Sequence, residues 1–403
     1  MKNIWIIAAC LFLGSCCRES NPHPAGITHV VVIGLDGMST QGLIEAETPC
    51  MDSLMQNGAY SYTVRCVLPT VSKPNWNAML CGAGPDITGV VSNGWYRDQE
   101  VFPPVVMTEN HSFPNIFRIV REQMPNAELG SLYHWGDFGS MLDKDDMNLM
   151  ETYPSSLETA EKTAAYILEK LPAFVFIQLD AVDGYGHNDG HMSPGYLNGI
   201  KEADDHVRII VDAIKNAGIQ DSTLIMIVSD HGGIFHGHGG NTYEELTTPI
   251  IFAGKGIKKN YAIRQQIYRY DVAADVAFAL GLQAPQQWTG RPTLPAYEGF
   301  EEPANLWQGV EILPPPVFHT ETYNPPHGGS FDTQAEVKIK IPAGVKGEIR
   351  YTIDESVPTR ESALYETVFT VEKSTVIRAK IFGEKAESPV VTAEYTVGNN
   401  KTK

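Results

Sequence analysis

The chain has 403 residues, of which 43% are hydrophobic and 19% charged, enough for one large α/β domain and a smaller second domain. Its formal net charge is −18, and no basic run interrupts the acidic composition. These values argue against a surface that binds a nucleic-acid duplex, because the phosphate polyanion would be repelled. They place no limit on small substrates, which remain to be inferred from motifs.

The first 16 residues are predicted to be a targeting segment outside the fold. Lys2 supplies a positive charge, residues 4–13 are apolar, and Leu13-Gly14-Ser15-Cys16 follows. The apolar stretch is too short for a transmembrane helix. The Leu-Gly-Ser-Cys segment resembles a bacterial lipobox, which implies an exported protein anchored to a membrane by acylated Cys16, in the periplasm or outer membrane of a Gram-negative bacterium. The alternative is an ordinary secretory signal. Residues 17–27 would form a short tether.

Apolar runs further along the chain predict the strands of a sheet: residues 29–35, 60–67, 128–133, 174–179, 224–228 and 249–253. Amphipathic or helix-favouring segments lie between them: residues 48–57, 73–80, 115–123, 157–171, 195–217 and 272–280. Because strand and helix alternate, residues 28–300 are predicted to form an α/β domain, a doubly wound and mostly parallel sheet with helices on both faces.

The pattern changes near residue 300. Residues 301–316, which include Leu313-Pro314-Pro315-Pro316, are predicted to be a linker. Short alternating strands separated by turn residues follow, at residues 335–341, 348–353, 368–371, 375–381 and 390–395. Residues 317–403 are therefore predicted to form a small Fn3/Ig-like β-sandwich.

Carboxylates follow three of the predicted buried strands. Asp36 and Asp230 come directly after their strands, and Asp183 comes shortly after residues 174–179. Ligands bind at the carboxyl edge of open α/β sheets, and three acidic groups converging there need a counterion. Nearby imidazoles complete a set that could bind two metal ions: His187, His231 and His238. Each residue alone is more often a cap or a solvated turn residue, so the prediction depends on their convergence. Asp180 is interpreted as a supporting or structural residue.

Ser72 is the predicted nucleophile. It precedes the helix of residues 73–80 as its N-cap, where free N–H groups and the helix dipole favour an alkoxide and a bound phosphate. A plain capping serine is the other interpretation, and Thr70 is the alternative nucleophile. Asn93 could donate its amide to a phosphoryl oxygen, although an Asn-Gly turn would also explain it.

These motifs resemble the alkaline phosphatase superfamily, most closely its nucleotide pyrophosphatase/type I phosphodiesterase branch. The resemblance covers residues 28–297 and is carried by Ile33-Gly-Leu-Asp36-Gly, Pro69-Thr-Val-Ser72-Lys-Pro-Asn75, Gly89-Val-Val-Ser-Asn93, Leu179-Asp-Ala-Val-Asp183-Gly-Tyr-Gly-His187 and Ser229-Asp230-His231-Gly. It implies one zinc ion held by Asp36, Asp230, His231 and Ser72, and a second held by Asp183, His187 and a third histidine. Manganese suits the same ligands. Asn93 would bind a phosphoryl oxygen.

The chain departs from this branch at three positions. Ser72 replaces the usual threonine, and Lys73 replaces an aromatic residue, so Lys73 is expected to contact the substrate together with Trp95. The third histidine is expected to be His238, with His236 as the alternative, because glycines flank His238 and let the backbone approach a metal. That local arrangement is similar to the ethanolamine-phosphate transferase branch.

The resemblance implies metal-dependent hydrolysis of phosphodiester or pyrophosphate bonds in a small phosphate ester, through a covalent phosphoserine. A phosphomonoesterase with the same residues is the alternative. A sulfatase is less favoured, because Ser72-Lys-Pro-Asn-Trp76 has Trp where the sulfatase segment has Arg. The last rival is a non-catalytic surface protein that binds glycan through its C-terminal module, whose Ile349-Arg-Tyr-Thr-Ile-Asp354 segment resembles the chitobiase/β-hexosaminidase C-terminal domain. Disulfide pairing and oligomeric state stay open.

Overall fold

The computed structural model describes residues 23–97, 102–306, 312–319, 328–342 and 344–398. The predicted signal segment, Cys16 and the tether as far as residue 22 lie outside the described residues. Within the described ranges, no helix is both long enough and apolar enough to cross a membrane. The predicted domain boundaries stay predictions.

The N-terminal part is built on an eight-stranded sheet. Its strands are β1 (His29–Leu35), β2 (Gly58–Arg65), β3 (Leu129–Tyr133), β4 (Leu149–Thr152), β5 (Phe174–Leu179), β6 (Thr223–Val228), β7 (Thr247–Gly254) and β8 (Tyr261–Ala262). The order across the sheet is β4-β3-β5-β1-β6-β7-β2-β8. The neighbours from β4 to β6 are all parallel, and β7 runs antiparallel to both β6 and β2. The predicted mostly parallel sheet is therefore confirmed.

Helices cover both faces of this sheet. They are α1 (Thr40–Glu45), α2 (Pro49–Gln56), α3 (Ser72–Cys81), α4 (Pro85–Thr88), α5 (Ile116–Gln123), α6 (Ser156–Lys170), α7 (Ala181–Asp189), α8 (Pro194–Asn216), α9 (Tyr243–Leu246) and α10 (Asp271–Ala279). Successive side chains of a strand point to opposite faces. In β1, Val30 and Val32 accordingly join a core with α3, α5 and α10, whereas Val31 and Ile33 join a second core with α2, α6 and α8. The doubly wound architecture is confirmed.

Several local features differ from the prediction. Helix α3 begins at Ser72 after an N-cap at Val71, so Ser72 lies in the first turn and is not the capping residue. The glycine-containing segment after β5, for which no helix was predicted, is helix α7. Helix α1 and strand β4 were not predicted, because both are short and lack a clear apolar period. Cys50, Cys66 and Cys81 are free thiols.

The C-terminal part is an all-β unit. Its strands are β9 (Val317–His319), β10 (Gly328–Phe331), β11 (Ala335–Lys340), β12 (Glu348–Thr352), β13 (Ala363–Leu364), β14 (Phe369–Val371), β15 (Thr375–Phe382) and β16 (Val391–Val397). They form a five-stranded sheet, β10-β16-β15-β12-β13, and a three-stranded sheet, β14-β11-β9. Val337 of the smaller sheet and Ile377 of the larger sheet share one buried core. The predicted sandwich is thus present, and its two sheets pack face to face.

Candidate metal centre and active site

Two buried carboxylates lie side by side at the carboxyl edge of the sheet, because β1 and β6 are adjacent and parallel and end at the same level. Asp36 follows β1, and its Oδ2 accepts hydrogen bonds from Trp76 Nε1 (3.0 Å) and Gln178 Nε2 (2.9 Å). Asp230 follows β6, and its Oδ1 accepts a hydrogen bond from the Gly37 amide (3.0 Å). The second oxygen of each, Asp36 Oδ1 and Asp230 Oδ2, is buried without a hydrogen-bond partner among the described residues.

His231 faces these two unpartnered oxygens. Its Nε2 lies 3.2 Å from Asp230 Oδ2 and 3.5 Å from Asp36 Oδ1. Its Nδ1 lies 2.9 Å from the carbonyl oxygen of Gly232, which favours the tautomer with the proton on Nδ1 and the lone pair on Nε2. Asp36, Asp230 and His231 therefore form a cluster whose ligand atoms could hold one metal ion.

A second cluster adjoins the first and shares His231. Asp183 lies on α7, and its Oδ1 is 3.8 Å from His238 Nε2 and has no hydrogen-bond partner in the described ranges. The rings of His231 and His238 stack with their centroids 3.6 Å apart. Asp183, His231 and His238 could hold another ion. His187 contacts the same carboxylate, since its Nε2 is 3.1 Å from Asp183 Oδ2, one helical turn away.

The two candidate third histidines have different surroundings. His238 is mostly buried, and its Nδ1 lies 2.8 Å from the Thr70 carbonyl oxygen, leaving Nε2 toward Asp183. The Nδ1 of His236 instead lies 3.0 Å from the carbonyl oxygen of His187, and the His187 Nδ1 lies 2.7 Å from the carbonyl oxygen of His236. The structure thus brings His238 to Asp183, whereas His236 pairs with the backbone of α7.

Burial and neighbouring charges shift the pKa values of these groups. Burial, followed by repulsion from neighbouring carboxylates, raises the pKa of Asp36 well above its usual value, and burial likewise raises the pKa of Asp230. Burial lowers the pKa of His231 to about 3, so its imidazole is neutral. The hydrogen bond that His187 donates to Asp183 raises the pKa of His187 to about 9. Burial opposes the charged form of Asp183, but the hydrogen bond from His187 and the nearby imidazoles outweigh it and lower its pKa.

These residues fit a pair of divalent cations. Three buried carboxylate oxygens have no hydrogen-bond partner among the described residues, imidazole nitrogens lie close to them, and all are ligands that zinc and manganese accept. A cation would offset the desolvation and mutual repulsion that raise the pKa values of Asp36 and Asp230.

The predicted nucleophile lies beside the first cluster. Ser72 Oγ is 3.2 Å from His231 Nε2, and the residue is buried at the first turn of α3. Thr70, the alternative, has its hydroxyl engaged: Oγ1 donates to the Gly240 carbonyl (2.7 Å) and accepts from the Gly239 amide (3.1 Å). Of the two, Ser72 is the one whose hydroxyl faces the candidate ligands.

Asn93 and Lys73 flank Ser72. Asn93 is exposed, and its Oδ1 accepts a hydrogen bond from the Lys73 amide (2.8 Å), so its Nδ2 can donate to a ligand. The Lys73 side chain is fully buried, and Nζ donates to the carbonyl oxygen of Trp95 (2.9 Å). The structure therefore gives Lys73 protein partners where the sequence predicts a substrate contact. Trp95 is itself mostly buried.

Two residues that hold a candidate ligand in place, Gln178 and Trp76, were not predicted from the sequence. Gln178 donates to both Asp36 Oδ2 and Asp180 Oδ1 (3.1 Å), and Trp76 donates to Asp36. Asp180 thereby supports the site through Gln178 and belongs to neither ligand cluster. The available signal was a single amide side chain within the apolar run of β5, FVFIQL, because a fully buried glutamine needs hydrogen-bond partners.

A sequence model of the type I phosphodiesterase/nucleotide pyrophosphatase family matches residues 30–239, more than half of the chain. The chain belongs to this family. A second model, of the chitobiase/β-hexosaminidase C-terminal domain, matches residues 326–393, within the β-sandwich. The matched region of this phosphodiesterase-family chain contains every residue of the two clusters.

Curated relatives of the chain belong to two groups. GPI ethanolamine phosphate transferase 1 of Saccharomyces cerevisiae is 23% identical over 325 residues, which are 70% of this chain and 35% of that protein. Ectonucleotide pyrophosphatase/phosphodiesterase family member 3 of Rattus norvegicus is 22% identical over 239 residues, 54% of this chain and 26% of that protein. The chain therefore spans about a third or less of the length of these relatives.

Solved structures share the fold of this family member. Murine ectonucleotide pyrophosphatase/phosphodiesterase 5, determined as an inactive variant in complex with AMP, superposes with a TM-score of 0.54 and 15% identity, covering 64% of this chain and 96% of that one. A 2-O GAG sulfatase superposes with a TM-score of 0.55 and 16% identity, covering 89% and 85%. Both similarities establish the alkaline phosphatase-like fold, and neither assigns a substrate.

Proposed function

We propose that this protein hydrolyses phosphodiester or pyrophosphate bonds with two zinc ions and a covalent phosphoserine at Ser72. The observation that carries the proposal is the placement of Ser72 Oγ 3.2 Å from His231 Nε2, next to carboxylate oxygens for which the described part of the chain offers no hydrogen-bond partner. A serine hydroxyl is a weak nucleophile unless a base or a metal activates it, and here it adjoins a group of metal-ligand atoms.

The two ions would be held by different residues. Asp36, Asp230, His231 and Ser72 would hold one, and Asp183, His187 and His238 would hold the other. When bound, zinc or manganese would lower the pKa of the serine hydroxyl and neutralise charge on the phosphoryl group and the leaving oxygen.

The remaining chemistry is assigned to side chains. Ser72 Oγ, having lost its proton to solvent, forms a bond to phosphorus while the bond from phosphorus to the leaving oxygen breaks. Water then attacks the phosphoserine, which releases a phosphate monoester and restores the hydroxyl. The Asn93 amide would donate a hydrogen bond to a phosphoryl oxygen as its charge develops.

The comparisons support a small phosphate ester as substrate. The murine structural neighbour was solved with AMP, and the rat relative is named as a nucleotide pyrophosphatase/phosphodiesterase. We further propose that the protein is exported and anchored through acylated Cys16, on the evidence of its N-terminal sequence. Mass spectrometry of the mature N-terminus tests this, and an unmodified or uncleaved Cys16 contradicts it.

The reaction is tested by comparing three nitrophenyl substrates in the same metal-replete buffer. A nucleotide diester should be hydrolysed with a higher kcat/KM than nitrophenyl phosphate, and nitrophenyl sulfate should not be hydrolysed. Preference for the monoester would replace the proposal with a phosphomonoesterase, and turnover of the sulfate ester would indicate a sulfatase.

A further inference from the structure

The buried side chain of Lys73 belongs to the residue that directly follows the proposed nucleophile, Ser72. The Lys73 side chain has no exposed surface, and its Nζ lies 3.7 Å from Asp137 Oδ2 and 4.2 Å from the centre of the Tyr96 ring. The same Nζ donates a hydrogen bond to the carbonyl oxygen of Trp95 (2.9 Å). Burial lowers the pKa of Lys73, and Asp137 opposes that effect. The ammonium thus has a carbonyl, a carboxylate and an aromatic face as partners, which is how a buried lysine is stabilised.

The backbone of Lys73 binds the same loop as its side chain does. Its amide donates to Asn93 Oδ1, and its Nζ reaches the carbonyl oxygen two residues later, at Trp95. One residue therefore fixes both ends of the short segment that presents the Asn93 amide. Because Oδ1 is already occupied, the Nδ2 group of Asn93 is the part that remains for a phosphoryl oxygen.

Lys73 also connects this loop to the segment at residues 135–137. Asp137 accepts a hydrogen bond from the Tyr96 hydroxyl (3.1 Å), and the Trp135 ring lies 6.0 Å from Lys73 Nζ. The Trp135 amide donates to Gln178 Oε1 (2.9 Å), and Gln178 in turn donates to Asp36. The segment at residues 135–137 is therefore tied both to Lys73 and, through Gln178, to a candidate metal ligand.

We propose that Lys73 is a positioning residue that sets the separation between the loop at residues 93–96 and the segment at residues 135–137, and so orients the Asn93 side chain next to Ser72. This assignment replaces the substrate contact predicted from sequence, and its kinetic consequences rest on the proposed phosphodiesterase function. A lysine that contacted the phosphate would discriminate between substrates by their charge. A lysine that fixes these two segments affects the hydrolysis of every substrate that uses Asn93 and Ser72.

The kinetic test compares Lys73→Met and Asp137→Asn with Lys162→Met, an exposed lysine on α6 that serves as the matched control. Lys73→Met should lower kcat/KM by about tenfold for a diester monoanion and a monoester dianion alike, with metal content unchanged. Adding Asp137→Asn to Lys73→Met should lower kcat/KM little further, because both substitutions break the same contact between Lys73 and Asp137. A loss at least tenfold larger for the dianion, or fully independent effects of the two substitutions, would overturn the assignment.

A second measurement does not depend on turnover. Hydrogen–deuterium exchange in the segment of residues 93–97 should be several-fold faster in Lys73→Met than in the wild-type protein and unchanged in Lys162→Met. If Lys73→Met does not fold, Asp137→Asn serves instead, since Asp137 is partly exposed, and it should also accelerate exchange there. Unchanged exchange in the variant that folds would contradict the proposal. A wild-type protein without phosphoesterase activity would contradict the proposed function and leave this exchange test valid.

Discussion

The Nδ1 atom of His238 lies 2.8 Å from the carbonyl oxygen of Thr70, two residues before the proposed nucleophile Ser72. The Thr70 hydroxyl binds the same loop, donating to the Gly240 carbonyl and accepting from the Gly239 amide. The segment that carries the nucleophile and the loop that carries a candidate metal ligand are therefore one hydrogen-bonded unit. This contact fixes the His238 tautomer and leaves Nε2 toward Asp183.

Thr70→Val should loosen this unit without changing the size of the side chain. It removes the hydroxyl and leaves the Gly239 amide and the Gly240 carbonyl unpaired, at a cost to the free energy of unfolding of about 1–3 kcal/mol. We expect the affinity for the metal ion at Asp183 and His238 to fall about tenfold, measured by metal titration of the purified protein. Thr70→Ser is the control and should bind metal normally. Equal metal affinities in the wild-type protein and Thr70→Val would show that the loop carrying His238 keeps its conformation without the Thr70 hydroxyl.

Single alanine substitutions should separate the two candidate histidines. His238→Ala removes a nitrogen that lies 3.8 Å from Asp183 Oδ1, and the purified variant should contain about one metal equivalent less than the wild-type protein. His236→Ala is the matched control, because His236 contacts the carbonyl of His187 and belongs to neither ligand cluster. Loss of metal in His236→Ala but not in His238→Ala would reverse the assignment. Elemental analysis of both variants, purified without chelator, provides the measurement.

The sequence was sufficient to predict the carboxylates that lie at the ends of strongly apolar strands. Asp36 and Asp230 follow apolar runs that are typical of buried parallel strands, so their convergence at one sheet edge could be predicted. Helix α7 was missed because Gly184 and Gly186 weaken the helical pattern locally, and tertiary packing overrides that propensity. The conformation of Lys73 could not be predicted either, because it depends on Trp95 and on Asp137, which are distant in sequence and meet only in the folded protein.

Ser72→Ala tests the covalent step. Removing Oγ should lower kcat by about 10³-fold or more, since the proposed reaction has no other nucleophile at that position. Metal content should remain close to that of wild type, because Asp36, Asp230 and His231 keep their ligand atoms. Ser92→Ala, which changes an exposed serine of the neighbouring loop, should retain activity. Mass spectrometry of wild-type protein quenched during turnover should detect phosphate on Ser72, and phosphate on another residue would move the nucleophile there.

Metal removal should destabilise the protein more at high pH than at low pH. In the metal-free fold, burial raises the pKa values of Asp36 and Asp230, so these groups favour folding while protonated, and that contribution is lost as the pH rises through their folded-state values. A bound metal ion would compete with protons at these two carboxylates and at His187, whose pKa is raised to about 9. Each displaced proton adds about 1.4 kcal/mol of metal stabilisation per pH unit. The Tm difference between metal-loaded and chelator-treated protein should therefore grow from pH 5.5 to pH 8, and it should grow less in Asp36→Asn. A difference that is constant or shrinks over this range would show that these carboxylates do not bind the metal.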